Sequence, residues 1–375
     1  MNLELATPAD NQELLNFFKE FPVKGLVEFK LDRLVDYFGP YKLHSDHFQT
    51  YVLKDKLNKI QATATFVFRD VMQDGKVERI ALATDLRVAP NRNAMLQWSG
   101  HILPVMEKIA LEENVTQFFS MINLTEPAGI NLFVKPRALK RPMPRSYLYR
   151  RFNLTTIHGK FPWAPQPLPH VKIRRGTEQN LEALLAYILK RSAHKTFRSV
   201  WNLESLQAKV AHIPGMKLAD FLIAYDSHEN IIGCMAPWSY KGIQDWIPRS
   251  YTLRAHNFRQ FLKFGNVLGW TRKLSKPIRS TGLEAPLKFQ YLTHLHVDNE
   301  DIFECLIHSA YQNASEDEFL CYAQPQQDLR IQPPESWITS QIPHAMYTMI
   351  APHKDPPGYL HPSINLDPEI EAYLI

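Results

Sequence analysis

Residues 81–133 constrain the fold more than any other stretch of this chain. ALATDLRVAP (81–90) is an apolar, β-prone run that ends at a proline. A helical pattern follows to about Asn114, and VTQFFSMIN (115–123) is a second β-prone run. The order is strand, short turn, helix, strand, with a short helix expected to about Phe133. The N-terminus of a helix after a strand is an anion site, because its first N–H groups have no helical partner and its dipole favours negative charge. Here that turn is almost bare of glycine.

Length and composition bound the rest. The chain has 375 residues, which suits two domains, and 45% apolar content, enough for real cores. No apolar run is long enough to span a membrane, and MNLELATPADNQ at the start lacks the basic-then-apolar order of a secretory signal. Three scattered cysteines, Cys234, Cys305 and Cys321, fit reduced thiols better than a disulfide framework. A cytoplasmic location is the expectation. The net charge of +5 is unevenly spread: residues 241–290 carry ten Lys/Arg against Asp245 and Glu284. That segment could meet phosphates, nucleic acid or an acidic protein, or could simply be a solvated insertion.

A proline-rich joint divides the chain. LTTIHGKFPWAPQPLPH (154–170) holds Pro162, Pro165, Pro167 and Pro169, which deny ladder donors and favour an extended tether. Before it, LELA (3–6) reads as a strand and Thr7-Pro8-Ala9-Asp10 as a helix start; Phe29–Phe38 suggests a second helix stopped by Gly39-Pro40. Strands follow at 47–55, 60–71, 77–88 and 144–152. After the joint the order recurs: strand 171–175, helices from Glu178 and Asn202, a hairpin across His228-Glu229-Asn230, strand 289–297, helix from Glu300, and strands 318–324 and 344–350. The expected division is residues 1–153, a tether at 154–170, residues 171–355 with a basic insertion at 241–287, and an extended surface tail at 356–375.

This order, twice over, resembles two tandem domains of the GNAT acyltransferase superfamily, an α/β fold with a mixed sheet. The resemblance rests on element order and on Leu86-Arg87-Val88-Ala89-Pro90, which looks like the end of the strand that lies beside the pantetheine arm in those enzymes. It implies acyl-CoA (acetyl-CoA or a longer one) as co-substrate, with Leu86 and Val88 on the cofactor strand. The family's pyrophosphate loop fits in two registers. One uses Asn93-Ala94-Met95-Leu96-Gln97-Trp98 and puts Pro104 inside the helix at about 3 kcal/mol. The other, preferred here, uses Gln97-Trp98-Ser99-Gly100-His101-Ile102, matches the family's Gln-x-x-Gly and puts Pro104 in the first helical turn. Gln97, Ser99, Gly100, His101 and Ile102 are then the cofactor loop.

The same resemblance calls for a base and for a Tyr that protonates the leaving thiolate. Glu78 and Asp85, on or beside the central strand, are the candidate bases, and Phe133 stands where the Tyr is expected. In the second half, Val297-Asp298-Asn299-Glu300-Asp301 places acids at the helix start, which suit the dipole and would repel a pyrophosphate. His294-x-His296 and His44-x-x-His47 lack a third convergent ligand, so no metal site is expected. The implied function is acyl-CoA-dependent N-acyl transfer to a small-molecule or peptide amine, with no membrane partner. The alternative is a GNAT-like protein without activity that binds an acidic or phosphate-rich partner through residues 241–290.

Overall fold

A computed structural model describes residues 1–127, 143–361 and 366–375. Contacts divide the chain into two compact units: Met1–Arg151 with Gly242–Trp246 and His344–Asn365, and Phe152–Lys241 with Ile247–Pro343 and Leu366–Ile375.

In chain order the first unit holds β1 (Asn2–Leu5), α1 (Asn11–Lys19), β2 (Val27–Asp32), α2 (Gly39–His44), β3 (Phe48–Lys54), β4 (Ile60–Gln73), β5 (Lys76–Val88), α3 (Arg92–Glu112) and β6 (Gln117–Asn123). Its sheet runs β1-β3-β4-β5-β6. Beyond β6 it is extended by residues 344–349, which pair antiparallel with Phe118–Asn123. α3 lays Trp98, Ile102, Val105, Met106 and Ile109 on Leu53, Ala62, Ala64, Phe66 and Phe68 of the sheet. That spacing is the apolar stripe of a sheet-covering helix.

β7 (Arg145–Lys160) leads out of the first unit. The second holds β8 (Lys172–Arg175), α4 (Leu181–Ser192), β9 (Arg198–Ser199), α5 (Leu203–His212), β10 (Leu222–Tyr225), β11 (Ile231–Trp238), β12 (Asp245–Tyr251, whose first two residues lie in the first unit), α6 (Leu253–Val267), α7 (Ile278–Thr281), β13 (Phe289–Val297), α8 (Glu300–Asn313), β14 (Phe319–Pro325) and β15 (Trp337–Ile350, whose end lies in the first unit). Its sheet runs β7-β14-β13-β11-β10-β8. α8 buries Ile302, Phe303, Leu306, Ile307 and Ala310 against Leu222, Met235, Leu292 and Leu320.

The repeat extends to single residues. β5 pairs in parallel with β6 through Ile80–Leu82, and β13 pairs in parallel with β14 through Phe289–Tyr291. Three residues past the last rung each strand takes a left-handed bulge, at Asp85 (φ 52°) and at His294 (φ 50°). The ladders with β4 and β11 slip at those points. The strands then end at Val88 and Val297. One constant offset relates all of these pairs. Neither bulge uses glycine, so nothing in the residue pattern marks it.

Four expectations are corrected. Residues 29–38 are not a helix: Val27-Glu28-Phe29-Lys30-Leu31-Asp32 alternates apolar and polar, and that period of two makes β2. Gly39-Pro40 opens α2 where it was expected to end a helix, with proline at a first-turn position that needs no donor. Residues 154–160 are strand, because the prolines that deny donors begin only at Pro162. The end of the chain is not a surface tail, since Ala372, Tyr373 and Leu374 are buried. Among the described residues, no helix is long and apolar enough to cross a membrane.

Candidate functional site

The gap that opens between β5 and β6 is the candidate site. The two strands share only the rungs Ile80–Gln117, Ala81–Phe118 and Leu82–Phe119. Beyond them β6 continues with β15, while β5 keeps only β4 among the described residues. Ile80, Ala81 and Leu82 are buried, yet every residue from Ala83 to Val88 is partly exposed. Among the described residues, a central strand thus leaves one edge of its backbone unpaired, and unpaired N–H and C=O groups are ready to take an extended ligand. Leu86 and Val88 lie on that open stretch, with side chains against the α3 core.

The bulge is held from behind by a buried cation. Arg33, 4% exposed, forms an ion pair with Asp85. Its Nε donates to Gln244 Oε1 (3.0 Å) and its Nη1 to the Tyr37 carbonyl (3.1 Å) and the Tyr41 hydroxyl (2.8 Å). The guanidinium also lies over the rings of Phe18 (4.2 Å), Tyr37 (4.8 Å) and Tyr41 (4.8 Å). Tyr41 Oη donates to Asp85 as well (2.8 Å). Burial opposes ionisation of Asp85, but Arg33 and then Arg87 hold its carboxyl below the ordinary value. Asp85 is therefore a fixed anion that anchors the bulge, and it makes a poor proton acceptor.

Glu78 sits at the closed end of the strand pair, where it accepts from Thr116 Oγ1 (3.1 Å) and Gln117 Nε2 (3.3 Å). The three paired rungs separate it from the opening. A carboxylate that pattern reading passed over stands nearer: Glu126, just after β6. Burial pushes its carboxyl up, against the pull of Arg87 and Lys24. Arg87, on the open stretch of β5, has a buried Nε with no hydrogen-bond partner among the described residues. A raised carboxyl beside an unsatisfied donor fits proton transfer next to a polar reacting group. Only its proximity to a strand end could have flagged Glu126. The expected short helix and Phe133 lie outside the described residues.

The loop register is corrected. α3 begins at Arg92 with Asn91 as its cap, Oδ1 accepting from the Ala94 N–H at 2.8 Å. Gln97, Ser99, Gly100, His101 and Ile102 are therefore inside the helix, where their N–H groups are spent on helical bonds. Pro104 is tolerated mid-helix on the exposed face, where water can satisfy the Gly100 carbonyl that its missing N–H would have bonded. The connection from β5 is only Ala89-Pro90-Asn91. The N–H groups of Arg92 and Asn93 are the helix-start donors without a helical partner, and no acid lies in this first turn.

The second gap, between β13 and β14, is filled by the chain itself. The N–H of the bulge residue His294 donates to Glu371 Oε1 (2.9 Å). Pro368–Glu371 line one cavity together with Leu292, Leu295 and His296 of β13 and Ala323 and Pro325 of β14. The space left is about 20 Å³, the room of about one water. Ser199 N–H donates to Glu369 (2.6 Å), and Tyr373 meets the Trp238 ring edge-on at 5.6 Å. Asn299 caps α8, and Glu300 and Asp301 occupy its first turn. Burial lowers His294 to about 3 and also depresses His296, so both imidazoles are neutral. Burial likewise raises the Cys234, Cys305 and Cys321 thiols, which belong to the core. Among the described residues no group of three or more His, Cys, Asp or Glu could hold a metal ion.

No protein-family model matches the chain, and no curated protein matches it. Solved structures do. The N-myristoyltransferase of Saccharomyces cerevisiae with bound myristoyl-CoA is 11% identical, over 92% of this chain and 82% of that one, with a TM-score of 0.50. A GCN5-related glucosamine N-acetyltransferase region in a fungal multi-domain GH3 β-N-acetylglucosaminidase is also 11% identical. That match covers 93% of this chain but 38% of the other, with a TM-score of 0.53. Likeness at this identity is likeness of fold.

Proposed function

We propose that this chain, whose two units have the tandem GNAT acyltransferase fold, is an acyl-CoA-dependent N-acyltransferase with its cofactor in the first unit. The observation that carries the reading is the gap beyond Leu82, where β5 leaves β6, bulges at Asp85 and leaves residues 83–88 partly exposed. An extended pantetheine arm is the ligand such a strand edge suits. The Arg92 and Asn93 N–H groups lie at the following helix start, where a pyrophosphate would sit. The second gap is occupied by Pro368–Glu371 and opens onto an acid-bearing helix start, so the first is the cofactor site of choice.

In this reading the acceptor amine attacks the thioester carbonyl, an amide forms, the C–S bond breaks and CoA leaves as its thiolate. Glu126 takes the proton that the amine loses. In this reading the Arg87 Nε–H, which has no partner among the described residues, donates to the developing oxyanion. The acceptor is an amine of a small molecule or peptide. Calorimetric titration with acetyl-CoA and a series of longer acyl-CoAs tests this: binding by one of them is expected, and no heat with any of them removes the proposal.

A further inference from the structure

The sequence of the basic insertion permits phosphates, nucleic acid, an acidic partner or a merely solvated face, and its folded shape is more specific. Leu253, Phe261, Phe264, Val267 and Leu268, in and just after α6, are exposed, three of them by 64–80%. Phe261 and Phe264 are the exposed phenylalanines of the described residues. At 3.6 residues per turn the five fall within an arc of about 120°. Asn257 and Gln260 share that arc, and Arg254 and Lys263, both exposed, stand at its two edges. Leu283 adds another exposed apolar group, and Lys273 and Lys276 add exposed cations. From Leu253 to Leu283 there is no Asp or Glu.

α6 has not come loose from a core. Its opposite side is pinned: Leu262 and Gly265 are buried, and a Cβ on Gly265 would stand 2.9 Å from the Thr271 side chain. Thr271 Oγ1 donates to the Leu262 carbonyl (2.6 Å), and Asn266 Nδ2 donates to the Thr271 carbonyl (2.7 Å). The return segment is fixed to β7, where a Cβ on Gly159 would meet the Trp270 carbonyl at 2.1 Å and the Arg272 N–H donates to the His158 carbonyl (2.6 Å). The helix is a firm base that holds an apolar stripe outward between cations.

We propose that α6 is a docking helix for an anionic lipid bilayer surface, lying in the interface with Leu253, Phe261, Phe264 and Leu268 among the acyl chains. Arg254, Lys263, Lys273 and Lys276 then meet lipid headgroups. The charge complementarity is one-sided, and the stripe is largely aliphatic. Nucleic acid would use ring faces for stacking and has no use for Leu253, Val267, Leu268 and Leu283, whereas a bilayer takes aliphatic and aromatic groups alike. The helix does not cross the membrane, which a surface site does not require.

Co-sedimentation of the full chain with phosphatidylcholine vesicles, with and without phosphatidylserine, tests the proposal. Binding is expected only with phosphatidylserine, and high salt should weaken it. Phe261→Ser with Phe264→Ser should lower partition by about tenfold or more. Leu57→Ser, at a residue 83% exposed elsewhere, should leave it unchanged. All these positions are exposed, so the variants keep the fold, and far-UV circular dichroism checks this. Equal sedimentation with both vesicles, none with either, a double variant that sediments like wild type, or retention of a homopolymer RNA without vesicle binding overturns it.

Discussion

Arg33→Met tests how the bulge beside the candidate site is held. Arg33 is 4% exposed, and the side chain of its partner Asp85 is 12% exposed. Removing one member of a buried pair leaves the other as an uncompensated charge, which costs about 3–5 kcal/mol, against about 1 kcal/mol or less for a surface pair. The Tyr41 hydroxyl and Gln244 Oε1 also lose their cationic donor. In the wild type the Asp85 carboxyl lies below the ordinary carboxylate value of about 3.9, so its stabilisation is complete above that pH and is lost as pH falls through the lower folded-state value. In the variant burial dominates and lifts the carboxyl, so protonation favours the folded form. Urea unfolding should therefore show a deficit of about 3–5 kcal/mol at neutral pH that shrinks in mild acid. Arg33→Met with Asp85→Asn should recover part of it. A deficit below about 1 kcal/mol, or one that is the same at both pH values, refutes the argument.

Glu126→Gln should lower the rate of acyl transfer by about a hundredfold or more while acyl-CoA affinity holds, the size of a lost general base. The wild-type rate should rise with pH through the raised Glu126 value, and a pH–rate profile unchanged in the variant would dismiss that role. Glu371→Ala removes the carboxylate that accepts from the His294 N–H and should cost about 1–3 kcal/mol in urea unfolding. No measurable loss would mean that the chain end sits loosely in the second gap.

The strands were legible where β-branched and aromatic runs were bounded by turns, as at 47–55, 60–71 and 289–297, and the tandem α/β fold followed from their order. β2 escaped because its alternation is only six residues long and a Gly-Pro pair beyond it resembled a helix stop. The phosphate loop was misplaced because Gln97 and Gly100 match a motif that the Asn91 cap overrides; a proline in the helix interior costs less than its sequence position suggested when it faces solvent. The bulges were illegible, since left-handed backbone falls on Asp85 and His294 and not on glycine. The filling of the second gap was hidden for a different reason. Four prolines made the last twenty residues look extended, and extended chain is the form that lies along an open strand.

Hydrogen–deuterium exchange in the presence and absence of an acyl-CoA that binds tests the central claim most directly. The ligand should slow exchange at residues 83–93, the open edge of β5 and the start of α3, and leave residues 292–302 unchanged. Binding that protects residues 292–302 instead, or protects neither stretch, contradicts the assignment of the cofactor to the first unit.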